Sequence, residues 1–140
     1  MPNPIIRRVS NPYTLLDAKA TTGAGTAWRV TDYTHLIIEV STDGGGNADL
    51  KVVCRGTTAN IPPDFAAAAT RANFYTDIAL YDYTTANCSL GTAGFDTTGA
   101  PGDSYKIYVI NLSGMEWVNF VVTSYAAGNV TVIGRGYSNS

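Results

Sequence analysis

A chain of 140 residues has the length of one domain and can bury about two thirds of the surface its unfolded form exposes, so it needs no disulfide or metal staple. Only 14% of the residues are charged and the formal net charge is −2. The nine basic residues are scattered, with Arg7-Arg8 the one adjacent pair, which argues against nucleic acid as a partner because phosphate binding draws on clustered Lys and Arg.

Thr, Ser, Asn, Gly and Tyr must cover most of the surface. Nine tyrosines with so little charge suit a surface partly covered by another protein, and equally a Thr/Tyr-rich solvated sheet. No apolar run approaches the roughly 20 residues of a membrane span, and no charged-then-apolar leader opens the chain. The expectation is a protein without a membrane partner, made and used in a reducing cytoplasm.

Residues 1–12 carry Pro2, Pro4 and Pro12, and proline fixes φ and removes a donor, so they read as an extended arm and not as a central strand. Within the arm, Ile5, Ile6 and Val9 beside Arg7 and Arg8 need a docking place, on the chain's own sandwich or on a neighbour by strand addition. Residues 13–140 form the single folded domain. A first strand is expected over Tyr13 to Ala20, with Leu15 and Leu16 on opposite faces, and a short one over Ala27 to Thr31. From Thr34 to Ser41, Leu36, Ile38 and Val40 alternate with His35, Ile37 and Glu39.

The glycine loop from Thr42 to Asp49 leads into Leu50 to Gly56, where Leu50, Val52 and Cys54 share a face, and the two strands read as a hairpin. Cys54 is therefore expected as a buried free thiol and not as the partner of Cys88. Pro62-Pro63-Asp64 followed by Phe65 and four alanines predicts a short helical turn near residues 63–71, held by Phe65. Phe74 to Tyr83 reads as one long strand with Tyr75, Tyr81 and Tyr83 on one face. Buried hydroxyls need partners, so that face is expected to meet another protein. A weak strand near Asn87 to Gly91 and a long exposed loop from Gly91 to Asp103 follow, and Ser104 to Leu112 returns a strand. Gly114 to Tyr137 closes the chain with Val118, Phe120 and Val122, then Val130 and Val132, on either side of Ala126-Ala127-Gly128-Asn129. This reads as a closing hairpin.

Strands at this spacing with Gly/Thr/Asn turns predict an all-β fold, an antiparallel β-sandwich of jelly-roll type with eight to nine strands. The segment Val122-Thr123-Ser124-Tyr125, small residues and a glycine, then Val130-Thr131-Val132-Ile133-Gly134-Arg135-Gly136 resembles the closing strands of small β-sandwich virion proteins of tailed bacteriophages. Leu15-Leu16-Asp17-Ala18, Gly23-Ala24-Gly25, Asp32-Tyr33-Thr34-His35, Tyr105-Lys106-Ile107-Tyr108 and Met115-Glu116-Trp117 are similar to the same group, so the likeness spans most of residues 13–137. Within the group the chain most resembles the jelly-roll cement, or decoration, proteins of phage heads. The resemblance implies a structural subunit on the capsid exterior, assembled in the host cytoplasm, with the major capsid protein and its own copies as partners. A homodimer is the favoured assembly and a trimer the alternative. The capsid or oligomer contact is expected at Ile5, Ile6, Arg7, Arg8, Tyr75, Tyr81 and Tyr83.

The residues offer little chemistry. His35 is the sole histidine, and Glu39 lies about 13 Å along the strand, out of direct reach. There is no nucleophile elbow, phosphate loop or zinc spacing, so no catalytic residue, cofactor or metal is expected. Asp43, Asn47 and Asp49 flank three glycines without the EF-hand spacing, and Asp96 and Asp103 sit in another glycine loop; both read as turn chemistry. The alternative function is a tail-fibre or spike module binding a cell-surface glycan. Trp28, Trp117, Tyr81 and Tyr108 would supply its ring platform, with core packing as the competing role for both tryptophans.

Overall fold

The computed structural model describes residues 7–139, and all regular structure among them is β. Strands β1 (Arg7–Val9), β2 (Tyr13–Lys19), β3 (Gly23–Ala24), β4 (Trp28–Arg29), β5 (His35–Asp43), β6 (Asp49–Thr57), β7 (Thr76–Ile78), β8 (Tyr81–Asp82), β9 (Asn87–Cys88), β10 (Phe95–Asp96), β11 (Tyr105–Asn111), β12 (Trp117–Ala127) and β13 (Asn129–Asn139) form two antiparallel sheets. The first runs β1-β13-β5-β11-β8-β9 with β2 also on β13, and the second runs β10-β6-β12-β3 with β4 on β12 and β7 on β6. The protein is an antiparallel β-sandwich.

Alternation builds its core. Leu36, Ile38 and Val40 of β5, Ile110 of β11, and Val130 and Val132 of β13 face Leu50, Val52 and Cys54 of β6 and Val118, Phe120 and Val122 of β12. Most of these side chains are fully buried, each worth about 1.5–3 kcal/mol of transfer from water. Trp28 joins them, stacked on Tyr13 with ring centroids 4.8 Å apart.

Several expectations are corrected. The two predicted hairpins are crossovers between sheets: β5 and β13 lie in the first sheet, β6 and β12 in the second. Period two reports which side chains are buried and not which strand is the partner. A Gly/Asn turn serves an arch as well as a hairpin. Both arches sit at one end of the sandwich, where Gly128, at φ 85°, lets the chain turn against Ala48.

No helix forms near residues 63–71. Asp64 caps one turn, its Oδ1 accepting from the amides of Ala66 and Ala67, and the chain then leaves. A run this short does not repay helix nucleation. The predicted strand from Phe74 to Tyr83 is broken, with β7 on the second sheet and β8 on the first, so no single tyrosine face exists. The stretch from Gly91 to Asp103 is stitched down and not wholly exposed: Phe95 is buried, and the Thr97 hydroxyl donates to the Ala48 carbonyl and accepts from the Leu50 amide. Leu15 and Leu16 are both buried because register shifts between β2 and β13 insert extra residues in β2.

The two outer faces differ. Residues 58–75 fold over the second sheet, and Phe65 and Tyr75 bury Val53 and Val121 in a second apolar cluster flanked by Trp117. Arg55 pins this cover: it donates to Asp77 at 3.0 Å and to the Phe65 carbonyl at 2.6 Å, and lies 4.8 Å from the centre of the Tyr75 ring. The outer face of the first sheet has no comparable cover among the described residues.

Candidate functional site

That open face is the best-formed candidate surface. Cross-strand register gives four rows across β13, β5 and β11: Tyr137-His35-Asn111, Arg135-Ile37-Val109, Ile133-Glu39-Ile107 and Thr131-Ser41-Tyr105. β8 extends it, with Tyr81 opposite Val109 and the Tyr83 amide donating to the Ile107 carbonyl. A solvated antiparallel face normally carries polar residues, yet this one exposes Ile37, Ile107, Tyr105 and Tyr83. His35 stacks on Tyr137 at 5.3 Å, and its Nδ1 shares a hydrogen bond with the Thr34 hydroxyl, so its ring is part of the surface and has no carboxylate partner among the described residues.

At the β8–β9 edge the sandwich opens into a cavity of about 380 Å³. Lys106 donates to Asp82 at 2.7 Å across it, and this bond holds the Asp82 carboxyl below the usual carboxylate range. Burial, then the Asp82 charge, pushes the Tyr108 hydroxyl up to about 12. Burial opposes ionisation of Asp96, but the Thr98 hydroxyl and amide and Lys51 leave its carboxyl below the usual range. Inward-pointing charges of this kind also keep a sheet edge from pairing with other chains.

The sandwich is shared with two proteins of known structure, one of them prophage-derived. The SPBc2 prophage-derived protein YomS superposes with a TM-score of 0.65 at 15% identity, over 95% of this chain and 96% of that one. The PBSX exported protein XepA superposes with a TM-score of 0.65 at 14% identity, over 94% of this chain, which spans 38% of XepA. At these identities the likeness is one of fold. No protein-family model matches the chain, and no curated protein matches it in sequence.

The structure separates the residues singled out from sequence. Ile5 and Ile6 lie outside the described residues. The backbone of Arg7 and Arg8 pairs with Asn139 and Ser138 of the same chain, so this part of the arm docks on its own sandwich. Tyr75 is buried on the far sheet, its hydroxyl donating to the Ala67 carbonyl at 2.6 Å. Tyr81 and Tyr83 do stay together, edge to face at 5.8 Å, beside the open face.

The glycan platform does not assemble. Trp28 and Tyr108 are buried in the main core, Trp117 packs under residues 58–75 with its indole donating to the Asn60 carbonyl, and Tyr81 is on the other sheet. Asp103 accepts from the Gly46 amide at 2.9 Å, so one glycine loop braces the other. No three His, Cys, Asp or Glu side chains among the described residues converge as metal ligands. Cys54 is buried and unpaired, its thiol pushed up by burial and by the Asp77 carboxylate, and Cys88 is exposed.

What the sequence reading missed is the cover over the second sheet. Its signal was available: Val52-Val53-Cys54 and Phe120-Val121-Val122 are apolar at consecutive positions, the mark of strands buried on both faces. Arg55 gave none, since a lone arginine in a strand reads as a solvated residue.

Proposed function

We propose that this chain is a structural component of a phage particle, a cement or decoration subunit on the outer capsid surface, and not an enzyme. The observation that carries the reading is the shared sandwich with prophage-derived YomS along nearly the whole of both chains. The resemblance of the strand and turn sequences to virion proteins points the same way. The major capsid protein is the partner. Contact would bury Tyr81 and Tyr83 together with the arm residues Ile5, Ile6, Arg7 and Arg8. A subunit that binds only the assembled shell stabilises it by linkage, without any chemical step.

Particles stripped of the protein and titrated with the purified chain test this. Saturable binding with a raised temperature of capsid rupture is the expected result. Loss of occupancy on removing residues 1–6, which leaves β1 in place, assigns the arm to the contact; unchanged occupancy removes it. Secretion of the chain without particle association, which the word exported in the name of XepA brings into view, would overturn the proposal.

A further inference from the structure

The asymmetry between the two outer faces calls for a cover over the first sheet. Ile37, Ile107, Tyr105, Tyr83 and Val9 are 37%, 45%, 82%, 55% and 57% exposed, and register places all of them on or beside this one face. Apolar residues scattered singly need no explanation, but a contiguous group on one sheet does.

At its centre is a block of four outward residues. Ile133 of β13 sits opposite Glu39 of β5, and Arg135 opposite Ile37. One diagonal of the block is therefore apolar and the other carries an acid and a base. Neither Glu39 nor Arg135 makes an ion pair or side-chain hydrogen bond among the described residues. A depression of about 250 Å³ is lined by all four residues of the block and reaches Pro12, a second of about 290 Å³ beside it reaches Tyr105 and Ile107, and both share Glu39 and Ile133 as walls.

We propose that this face docks a second copy of the same chain about a two-fold axis. An axis lying along the Ile37–Ile133 diagonal sets each isoleucine against its own counterpart. The same operation places Glu39 of each copy opposite Arg135 of the other, so one symmetry element makes two reciprocal ion pairs. An isologous contact demands this self-complementarity, in which residue i meets j and j meets i. The depression beside the block, walled by Tyr105 and Ile107, receives an apolar side chain from the other copy. Four outward residues along β5 and about five strand widths give a face of roughly 20 Å by 20 Å. At about 800 Å² in total this is below the roughly 1,200–2,000 Å² of a standard interface, so the dimer is a weak one that forms only at high protein concentration. The inference stands apart from the phage reading, since dimerisation in solution requires no capsid.

Sedimentation velocity on the full chain, up to about 300 μM, tests it with two charge reversals on exposed positions whose folding is checked by circular dichroism. The wild type is expected to dimerise. Glu39→Arg and Arg135→Glu are each expected to weaken self-association about tenfold or more by placing like charges opposite each other. A one-to-one mixture of the two variants restores the dimer as a heterodimer, because both ion pairs re-form, one with its signs exchanged and one as in the wild type. A wild type that stays monomeric, or forms a trimer, overturns the proposal and leaves the face to a different protein. So does a dimer that neither reversal weakens, or single defects that the mixture fails to rescue.

Discussion

Replacing Arg55 by Met keeps most of the stem that packs on Tyr75 and removes the guanidinium. The hydrogen bond to the Phe65 carbonyl is charge-assisted and partly buried, worth about 1.5–3 kcal/mol. The ion pair with Asp77 has side chains 17% and 26% exposed, so it falls above the range of about 0.2–1 kcal/mol for solvated pairs and below that of buried ones. Stacking over Tyr75 adds about 0.5–1 kcal/mol. These terms share one side chain and do not add fully, so the expected loss is about 3 kcal/mol, or a melting temperature lower by about 10 °C. Urea denaturation measures the loss. Hydrogen exchange locates it: amides of residues 64–78 should lose protection well before those of β5 and β13. A loss under about 0.5 kcal/mol, or equal loss of protection across both sheets, would refute the account of Arg55 as the pin of this cover.

Three further outcomes are expected. Ellman titration of the native protein should show one fast thiol, Cys88, with Cys54 reacting only on unfolding. The Asp82 carboxyl is lowered in the folded state, chiefly by Lys106, so its contribution is present above the unfolded value of about 3.9 and is lost as pH falls through the folded value. Asp82→Asn should therefore flatten the decline of stability with pH below about pH 4, measured by denaturation across that range. Ala18 is exposed at φ 46° in the irregular part of β2, and Ala18→Gly should raise stability by about 1 kcal/mol in the same assay.

The long strands were legible because burial on one face imposes alternation: Leu36, Ile38 and Val40 of β5 and Leu50, Val52 and Cys54 of β6 fall where their periodicity puts them. Partnership was not legible. The turns at Gly44 and Gly128 look like hairpin turns, and only the packing of whole sheets sends the strands on either side of each to different layers. Ala79 and Leu80, where the chain passes from β7 on one sheet to β8 on the other, carry no breaker, so Phe74 to Tyr83 read as continuous. The bulges in β2 depend on the register of β13, more than a hundred residues away.

For the candidate surface, Ile37 was visible as an apolar residue alternating on the same side as His35 and Glu39. That Ile37 and Ile107 adjoin Ile133, and that Glu39 and Arg135 form the crossed diagonal, follows only from register.

The most direct test of the proposed role is to tag the chain in its particle and image labelled virions by electron microscopy. Labels distributed over the head at regular positions are the predicted result. Labels confined to the tail, or particles without label while the chain is present in the lysate, would contradict it.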